Sequence, residues 1–275
     1  MMTLGLVSNC WQVQLAQGAS LDELIAEAAE AGFRAIELRQ GFLGEYESAD
    51  RHLPDPAKLE KLPNTFPQMR FNIAIQFPFL SERASSSDEL FRAGLWAADS
   101  VAGEYPPHLR LVDLTTAVSP QNLPAVEAAA AQLVQLTREL VALDGVLSVE
   151  NARQPWPWFC KVLDAARDQL GLDRSRLKLC YDPVNLYLTN ETIDPLEATK
   201  SLATDEISMV HFKQRVDGRI ATAVCDGDVN WDKQLAALHD AGYAGPFLFE
   251  VASHKKLWEY LAGSREYLRR RGLRP

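Results

Sequence analysis

The sequence alternates eight times between a short apolar run and a longer stretch of helical periodicity. The apolar runs predict strands at Leu4–Val7, Ala35–Leu38, Phe71–Ile75, Leu109–Leu114, Val146–Glu150, Leu177–Tyr181, Ser208–Phe212 and Phe247–Val251. Continuously apolar strands separated by helices are typical of a parallel sheet that is covered on both faces. Eight such units in 275 residues fit a closed barrel, which takes about 250 residues, better than an open sheet. The predicted fold class is therefore α/β, a single (β/α)8 TIM barrel.

The helical stretches carry ordinary start and stop signals. They predict helices at Leu21–Ala31, Lys58–Leu62, Ser87–Val101, Pro124–Leu143, Trp156–Leu170, Pro195–Ala203, Trp231–Ala241 and Leu257–Arg271. Ser20 is a suitable N-cap for the first helix, Gly32 a suitable stop, and Pro124 fits a first helical position. No G-x-G-x-x-G follows a strand, which disfavours a dinucleotide-binding fold. No linker or change of composition divides the chain, so we expect one domain over residues 1–275.

Charge and cysteine content exclude several classes of protein. Asp and Glu number 37 against 28 Lys and Arg, and the resulting net charge of −9 disfavours binding to nucleic acid. No run of about 18 apolar residues and no secretory signal occurs, so no membrane association is expected. The four cysteines form no C-x-x-C pair and are too sparse for a disulfide framework. We therefore expect a cytoplasmic protein with reduced thiols.

Each of the last four predicted strands ends in a side chain that can bind a metal. These side chains are Glu150, Asp182, His211 and Glu250, and they are 32, 29 and 39 residues apart, close to one strand–helix unit each. The carboxyl ends of all strands in a parallel barrel meet at one face, where the active sites of this fold lie. Any one of these residues could be an ordinary polar group at a strand end, but four in succession favour convergence on one ion.

The ligand types indicate which metal this site would bind. Three carboxylates and one imidazole suit a hard divalent cation such as Mn²⁺, Mg²⁺ or Co²⁺. Zn²⁺ also accepts this ligand set, although a structural zinc site would favour thiolates. None of the cysteines occupies a matching position. We therefore predict one divalent metal ion.

Six segments resemble the xylose isomerase-like TIM barrel superfamily, and more narrowly its sugar phosphate isomerase/epimerase branch. They read AGFRAIEL at 31–38, LSVEN at 147–151, CYDPVN at 180–185, VHFK at 210–213, GDVNW at 227–231 and GYAGPFLFE at 242–250. The resemblance implies a (β/α)8 barrel in which Glu150, Asp182, His211 and Glu250 hold one divalent metal. It also implies that Glu150 and Glu250 serve as acid/base groups, as the matching glutamates do in epimerases of the family.

Two positions depart from the pattern of the family's ketose epimerases. Many relatives carry a histidine three residues after the strand-six aspartate, whereas this chain has Asn185. Asparagine can hydrogen-bond to a hydroxyl but cannot transfer a proton near neutral pH. The loop that follows Glu150, NARQPW, lacks the second carboxylate that some ketose epimerases use there.

A divalent metal beside two carboxylates suits proton abstraction next to a carbonyl, because the metal stabilises the enediolate. Return of the proton to the same carbon gives an epimerase, and return to its neighbour gives an isomerase. Loss of a β-hydroxyl would instead give a dehydratase, and a non-catalytic barrel that binds a small polyol is a further alternative. A DNA repair endonuclease of the same superfamily is disfavoured, since it needs a histidine-rich metal cluster and a basic groove.

Four further residues are candidates for substrate binding. Lys213 and Arg215, in the loop after the seventh strand, could anchor a phosphate or carboxylate or could belong to a solvated loop. Glu37 closes the second strand and could bind substrate hydroxyls or form a rim salt bridge with Arg39, and Asn185 could bind a hydroxyl. The expected partner is a small-molecule carbohydrate, and the oligomeric state is open, a homodimer included.

Overall fold

Eight parallel strands close into a barrel in the computed structural model, which describes residues 3–81, 84–115, 123–188 and 193–273. In chain order the strands are β1 (Leu4–Val7), β2 (Ala35–Arg39), β3 (Arg70–Gln76), β4 (His108–Val112), β5 (Val146–Glu150), β6 (Leu177–Tyr181), β7 (Ile207–Phe212) and β8 (Phe247–Phe249). Their order around the barrel follows the chain, and β8 pairs with β1 to close it. The predicted (β/α)8 barrel is confirmed.

The helices cover the barrel and bury apolar faces against it. They are α1 (Gln12–Ala16), α2 (Leu21–Glu30), α3 (Pro56–Leu59), α4 (Leu62–Thr65), α5 (Glu89–Ser100), α6 (Val126–Val141), α7 (Trp156–Leu170), α8 (Pro195–Lys200), α9 (Trp231–Asp240) and α10 (Leu257–Arg270). In α6, Leu133, Leu136 and Leu140 recur at helical spacing and are buried, as an amphipathic helix requires. None of the helices in the described ranges has both the length and the apolar character needed to cross a bilayer.

Local signals explain the element boundaries, including those that differ from expectation. Ser20 and Glu23 form a capping box at the start of α2, and Gly32 follows its end at φ 87°. The single helix expected at 58–62 is two short helices, because Pro63 lacks the N–H that a continuous helix would need there. Helix α6 begins at Val126, so Pro124 precedes the helix rather than opening it.

A short hairpin, which is not among the predicted elements, follows β7. Residues 215–216 pair antiparallel with residues 219–220. Asp217 and Gly218 connect them with φ 49° and 75°, the positive values that a tight two-residue hairpin turn requires. Gln214 fixes the base of this hairpin through hydrogen bonds from Nε2 to the carbonyls of Cys225 and Val229.

Gly5 of β1 pairs with Ala35 of β2 and has no room for a side chain. A Cβ at this position would lie 2.4 Å from the carbonyl oxygen of Ala35. We expect Gly5→Ala to lower the free energy of unfolding by about 1–3 kcal/mol, the usual cost of overpacking a core. The matched control is Gly263→Ala in α10, where a Cβ has no atom within 4 Å and should stabilise by about 0.5–1 kcal/mol. Urea denaturation of both variants measures these changes, and equal stability of the two would contradict the assignment.

Candidate metal centre and active site

The four strand-end residues converge at one end of the barrel. Glu150 is the last residue of β5, Asp182 and Glu250 directly follow β6 and β8, and His211 lies in β7. One ligand atom from each lies within 4.8 Å of the other three, and all four residues are buried. Because β5 to β8 are consecutive neighbours in the barrel, their carboxyl ends form one arc. This cluster could hold a metal ion.

Asn151 fixes the position of Asp182. Its Nδ2 donates to the carbonyl of Asp182 at 2.8 Å, and its Oδ1 accepts from the Asp182 N–H at 2.9 Å. The Oδ1 of Asp182 accepts from the N–H groups of Val184 and Asn185 at 2.8 and 3.3 Å. Its second oxygen, Oδ2, accepts neither of these backbone hydrogen bonds and faces the cluster, where it lies 3.0 Å from Lys213 Nζ.

Arg110 and Asn185 hold the carboxylate of Glu150. The guanidinium of Arg110 lies 2.7 Å from Glu150 Oε2, and Asn185 Nδ2 donates to Oε1 at 2.8 Å. Burial by itself opposes ionisation of Glu150, but the positive charge of Arg110 outweighs this effect and lowers the pKa. Glu150 is therefore ionised at neutral pH.

Three residues from distant parts of the chain hold Glu250. Its Oε1 accepts hydrogen bonds from Arg39 at 2.7 Å and from Asn9 at 3.0 Å. Its Oε2 lies 2.7 Å from Lys213 Nζ. Burial opposes ionisation here too, but Lys213 is the strongest of the nearby charges that bring the pKa of Glu250 well below its ordinary value. Lys213 is itself held through its carbonyl, which accepts from Trp231 Nε1.

The two ring nitrogens of His211 face different groups. Its Nε2 lies 3.3 Å from Cys180 Sγ and 3.6 Å from Glu37 Oε1. Its Nδ1 lies 3.4 Å from Glu250 Oε2 and 3.7 Å from Glu150 Oε1, and it makes no hydrogen bond within the described part of the chain. A buried ring nitrogen without a hydrogen bond, between two carboxylates, fits a metal ligand whose opposite nitrogen is oriented by other groups.

The structure also places the four candidates for substrate binding. Lys213 and Asn185 contact the cluster directly. Glu37 is fully buried and pairs with Arg110, so the alternative of a rim salt bridge with Arg39 is wrong. Arg39 instead pairs with Glu250, with its Nη1 2.7 Å from Glu250 Oε1.

Arg215 lies apart from the cluster. It pairs with Asp228, and its guanidinium lies 4.6 Å from the centre of the Tyr187 ring. Among the described residues it has no ion pair with the four metal-ligand candidates. Its assignment to substrate binding remains a prediction.

Three residues that hold the carboxylates of Glu150 and Glu250 were not predicted from the sequence. Arg110 does have a signal in the sequence. The strand at 108–112 is apolar except for His108 and Arg110. Asn9 and Arg39 have no such signal, since both reach Glu250 only through closure of the barrel. Both line a cavity of about 420 Å³ that adjoins Glu250 and Lys213. This cavity is the candidate substrate site.

We expect His211→Ala to lower the affinity for Mn²⁺ by more than the roughly 10–100-fold that substitution of residues around metal ligands costs. The fold should persist, because a residue at the catalytic face contributes more to the site than to the core. Titration calorimetry with Mn²⁺ measures the affinity, and circular dichroism checks the fold. His239→Ala is the control, because His239 is exposed on α9. Unchanged Mn²⁺ affinity in the His211 variant would refute its assignment as a ligand.

Comparison with known structures finds the same architecture over almost the full chain. A crystal structure of the IOLI protein with bound zinc has a TM-score of 0.69 at 14% identity, over 98% of this chain and 96% of that one. A probable 3-DHS dehydratase, AsbF from Bacillus anthracis, has a TM-score of 0.69 at 14% identity, over 98% and 99%. A sugar phosphate isomerase/epimerase from Parabacteroides distasonis has a TM-score of 0.66 at 13% identity, over 97% and 93%. At these identities the similarity establishes the fold alone.

Comparison of the sequence itself gives the family. No curated protein sequence matches the chain. Residues 113–271, more than half of the chain, match the family described as the xylose isomerase-like TIM barrel. This range includes all four residues of the metal-ligand cluster. The chain therefore belongs to the xylose isomerase-like TIM barrel family.

Proposed function

We propose that this protein is a metal-dependent isomerase or epimerase of a sugar, a sugar phosphate or a polyol-derived keto compound. The observation that supports the proposal most directly is the buried cluster of three carboxylates and one imidazole, with ligand atoms within 4.8 Å of one another. Two of its members are glutamates from β5 and β8, at the two ends of the four-strand arc. A cavity large enough for a small polyol adjoins the cluster.

Glu150, Asp182, His211 and Glu250 would hold the metal, which is Mn²⁺, Mg²⁺, Co²⁺ or Zn²⁺. When bound, this ion would polarise the substrate carbonyl and stabilise the negative charge that develops on its oxygen. Asn185 and Lys213 would orient the substrate, because both have polar groups within hydrogen-bond distance of the cluster. Glu37 would act through Arg110, with which it pairs, and through His211, whose Nε2 lies 3.6 Å from Glu37 Oε1.

Glu150 and Glu250 would transfer the proton. Their lowered pKa values keep both carboxylates ionised at neutral pH, so either can accept a proton from a substrate carbon. The same glutamate or its partner then returns a proton to that carbon or to its neighbour. Return to the same carbon on the opposite face is epimerisation, and return to the neighbour is isomerisation.

A dehydratase is the second candidate, and the position of Lys213 favours it. Elimination needs a base for the proton next to the carbonyl and an acid for the departing β-hydroxyl. A glutamate would take the proton next to the carbonyl, and the electron pair left behind would form a C=C bond as the C–O bond breaks. The hydroxyl would leave as water with a proton from Lys213 Nζ. This ammonium group lies 2.7 Å from Glu250, so acid and base would be adjacent.

Solvent deuterium incorporation tests the proposal. Protein loaded with Mn²⁺ is incubated in D₂O to equilibrium with a panel of ketoses, inososes and hydroxy-keto acids, and the products are followed by NMR. We expect deuterium at the carbon next to the carbonyl in the active compound, and the product identifies epimerase, isomerase or dehydratase. Conversion without deuterium would contradict proton transfer. Tight binding without any exchange across the panel would favour the non-catalytic polyol-binding alternative.

A further inference from the structure

A connected network of ion pairs surrounds the candidate metal centre. It contains four carboxylates and three cations that contact one another directly or through His211. The carboxylates are those of Glu37, Glu150, Asp182 and Glu250, and the cations are Arg39, Arg110 and Lys213. Except for Arg39 and Lys213, whose side chains keep a small exposed area, these groups are almost fully buried. With His211 neutral as a metal ligand and all four carboxylates ionised, the formal charges of the network sum to one negative charge in excess.

A divalent ion reverses the sign of this balance. The two added charges leave the loaded site with one positive charge in excess. A buried charge without a counterpart is costly, because the surroundings cannot replace its hydration. The loaded site is therefore suited to a ligand with a single negative charge.

Arg39 lines the adjoining cavity and has side-chain donors without a hydrogen-bond partner among the described residues. Its Nη1 donates to Glu250 Oε1 at 2.7 Å, whereas its Nε and Nη2 have no hydrogen-bond partner within the described residues. The guanidinium edge formed by Nε and Nη2 matches a carboxylate, which can accept two parallel hydrogen bonds from it.

Asn9 supplies a complementary acceptor in the same cavity. Its Nδ2 donates to Glu250, and its Oδ1 is buried without a partner in the described part of the molecule. A substrate hydroxyl could donate to this oxygen. The cavity thus offers an anion-binding edge and a hydroxyl acceptor beside the same metal-ligand candidate, Glu250.

We propose that the substrate carries one carboxylate, which binds the free edge of Arg39, and a hydroxyl that donates to Asn9. This inference rests on the proposed function, because the charge balance includes the metal. A phosphate monoester has a charge of about −1.5 to −2 near neutral pH and would leave the site negative again. The substrate class is therefore a hydroxy-keto acid rather than a neutral sugar or a sugar phosphate.

Binding of non-reacting probes to the Mn²⁺-loaded protein tests this class. D-Glycerate and glycerol share a diol, but glycerate has a carboxylate where glycerol has a second hydroxymethyl group. Isothermal titration calorimetry compares these two probes and inorganic phosphate on the wild type and on Arg39→Met, Arg39→Lys and Arg153→Met. Arg153 is an exposed basic residue in the loop after β5 and serves as the matched control. The Mn²⁺ affinity of each protein is measured first, because Arg39 also contacts a metal-ligand candidate.

We expect the wild type to bind glycerate at least 10-fold more tightly than glycerol. Arg39→Met should lose at least 10-fold in glycerate affinity, about 1.4 kcal/mol, and should keep its glycerol affinity. Arg39→Lys should lose less, because it keeps the charge but not the planar edge, and Arg153→Met should match the wild type. A glycerate preference that persists in Arg39→Met would overturn the assignment, because direct chelation of the metal would then explain it.

The other outcomes separate this inference from the proposed function. Equal affinity for glycerate and glycerol in a protein that binds Mn²⁺ would overturn the carboxylate class alone. Tighter binding of phosphate than of glycerate would also overturn it, in favour of a phosphorylated substrate. Failure of the wild type to bind Mn²⁺ would overturn the proposed function and this inference together.

Discussion

Glutamine at position 150 or 250 is expected to lower turnover of the active substrate by about 10²–10⁴-fold, the usual contribution of general acid/base catalysis. Each substitution keeps the side-chain volume and one carbonyl oxygen but removes the group that accepts a proton. Both wild-type carboxylates are held by cations, Glu150 by Arg110 and Glu250 by Arg39 and Lys213. Steady-state kinetics at saturating Mn²⁺ measures the loss.

Metal content separates the two possible origins of this loss, because both glutamates are also candidate ligands. Elemental analysis of each variant shows whether the metal is retained, and only variants that retain it report on proton transfer. Glu259→Gln is the control, since Glu259 lies exposed on α10 and contacts Lys256. Near-normal turnover in both metal-loaded glutamine variants would refute the acid/base assignment.

Arg110→Met is expected to lower the free energy of unfolding by about 3–5 kcal/mol. Arg110 is fully buried and pairs with both Glu37 and Glu150. Without its guanidinium, the Glu37 carboxylate would remain in the barrel interior with a hydrogen bond from Asn72 but no permanent cation beside it, since its other basic neighbour is the imidazole of His211. The cost arises from this uncompensated negative charge rather than from lost packing, because methionine fills most of the volume. Urea denaturation at neutral pH measures the change.

Two further variants distinguish a buried charge from a general effect of losing an arginine. Arg51→Met removes one partner of the Arg51–Glu89 pair, whose side chains are 52% and 63% exposed, and should cost less than about 1 kcal/mol. The double variant Glu37→Met/Arg110→Met removes both charges of the Glu37–Arg110 pair and should recover part of the lost stability. A double variant less stable than Arg110→Met would contradict this explanation.

The convergence of the four strand-end residues was predictable because each signal is local. Glu150, Asp182, His211 and Glu250 each end an apolar run, and a parallel barrel gathers such ends at one face whatever its loops contain. The Asp217-Gly218 turn was also readable, since this dipeptide favours a hairpin. The strands that flank this turn have only two residues each, too few to form a recognisable apolar pattern.

The cations of the site were not predictable in the same way. Arg39 ends a strand on the far side of β1 from Glu250, and only the register of β2, β1 and β8 brings the two together. The partners of Glu37 depend likewise on which interior side chains face one another across the barrel. The spacing of residues in the sequence predicts which strand a residue ends, but it does not predict which side chains contact that residue in the barrel interior. The charge balance, and with it the inferred substrate class, therefore required the structure.

Glu250 joins the two ends of the chain, since Asn9 and Arg39 lie 241 and 211 residues away from it in sequence. These contacts can form only after the first and last strands pair, and contacts of such long sequence separation are slow to form during folding. A ligand that requires them binds the finished barrel and not the partly folded chain. At 100 times its Kd such a ligand adds about 2.7 kcal/mol to the stability of the whole domain. Ligand concentration would thus enter the stability of the fold through the seam between β1 and β8.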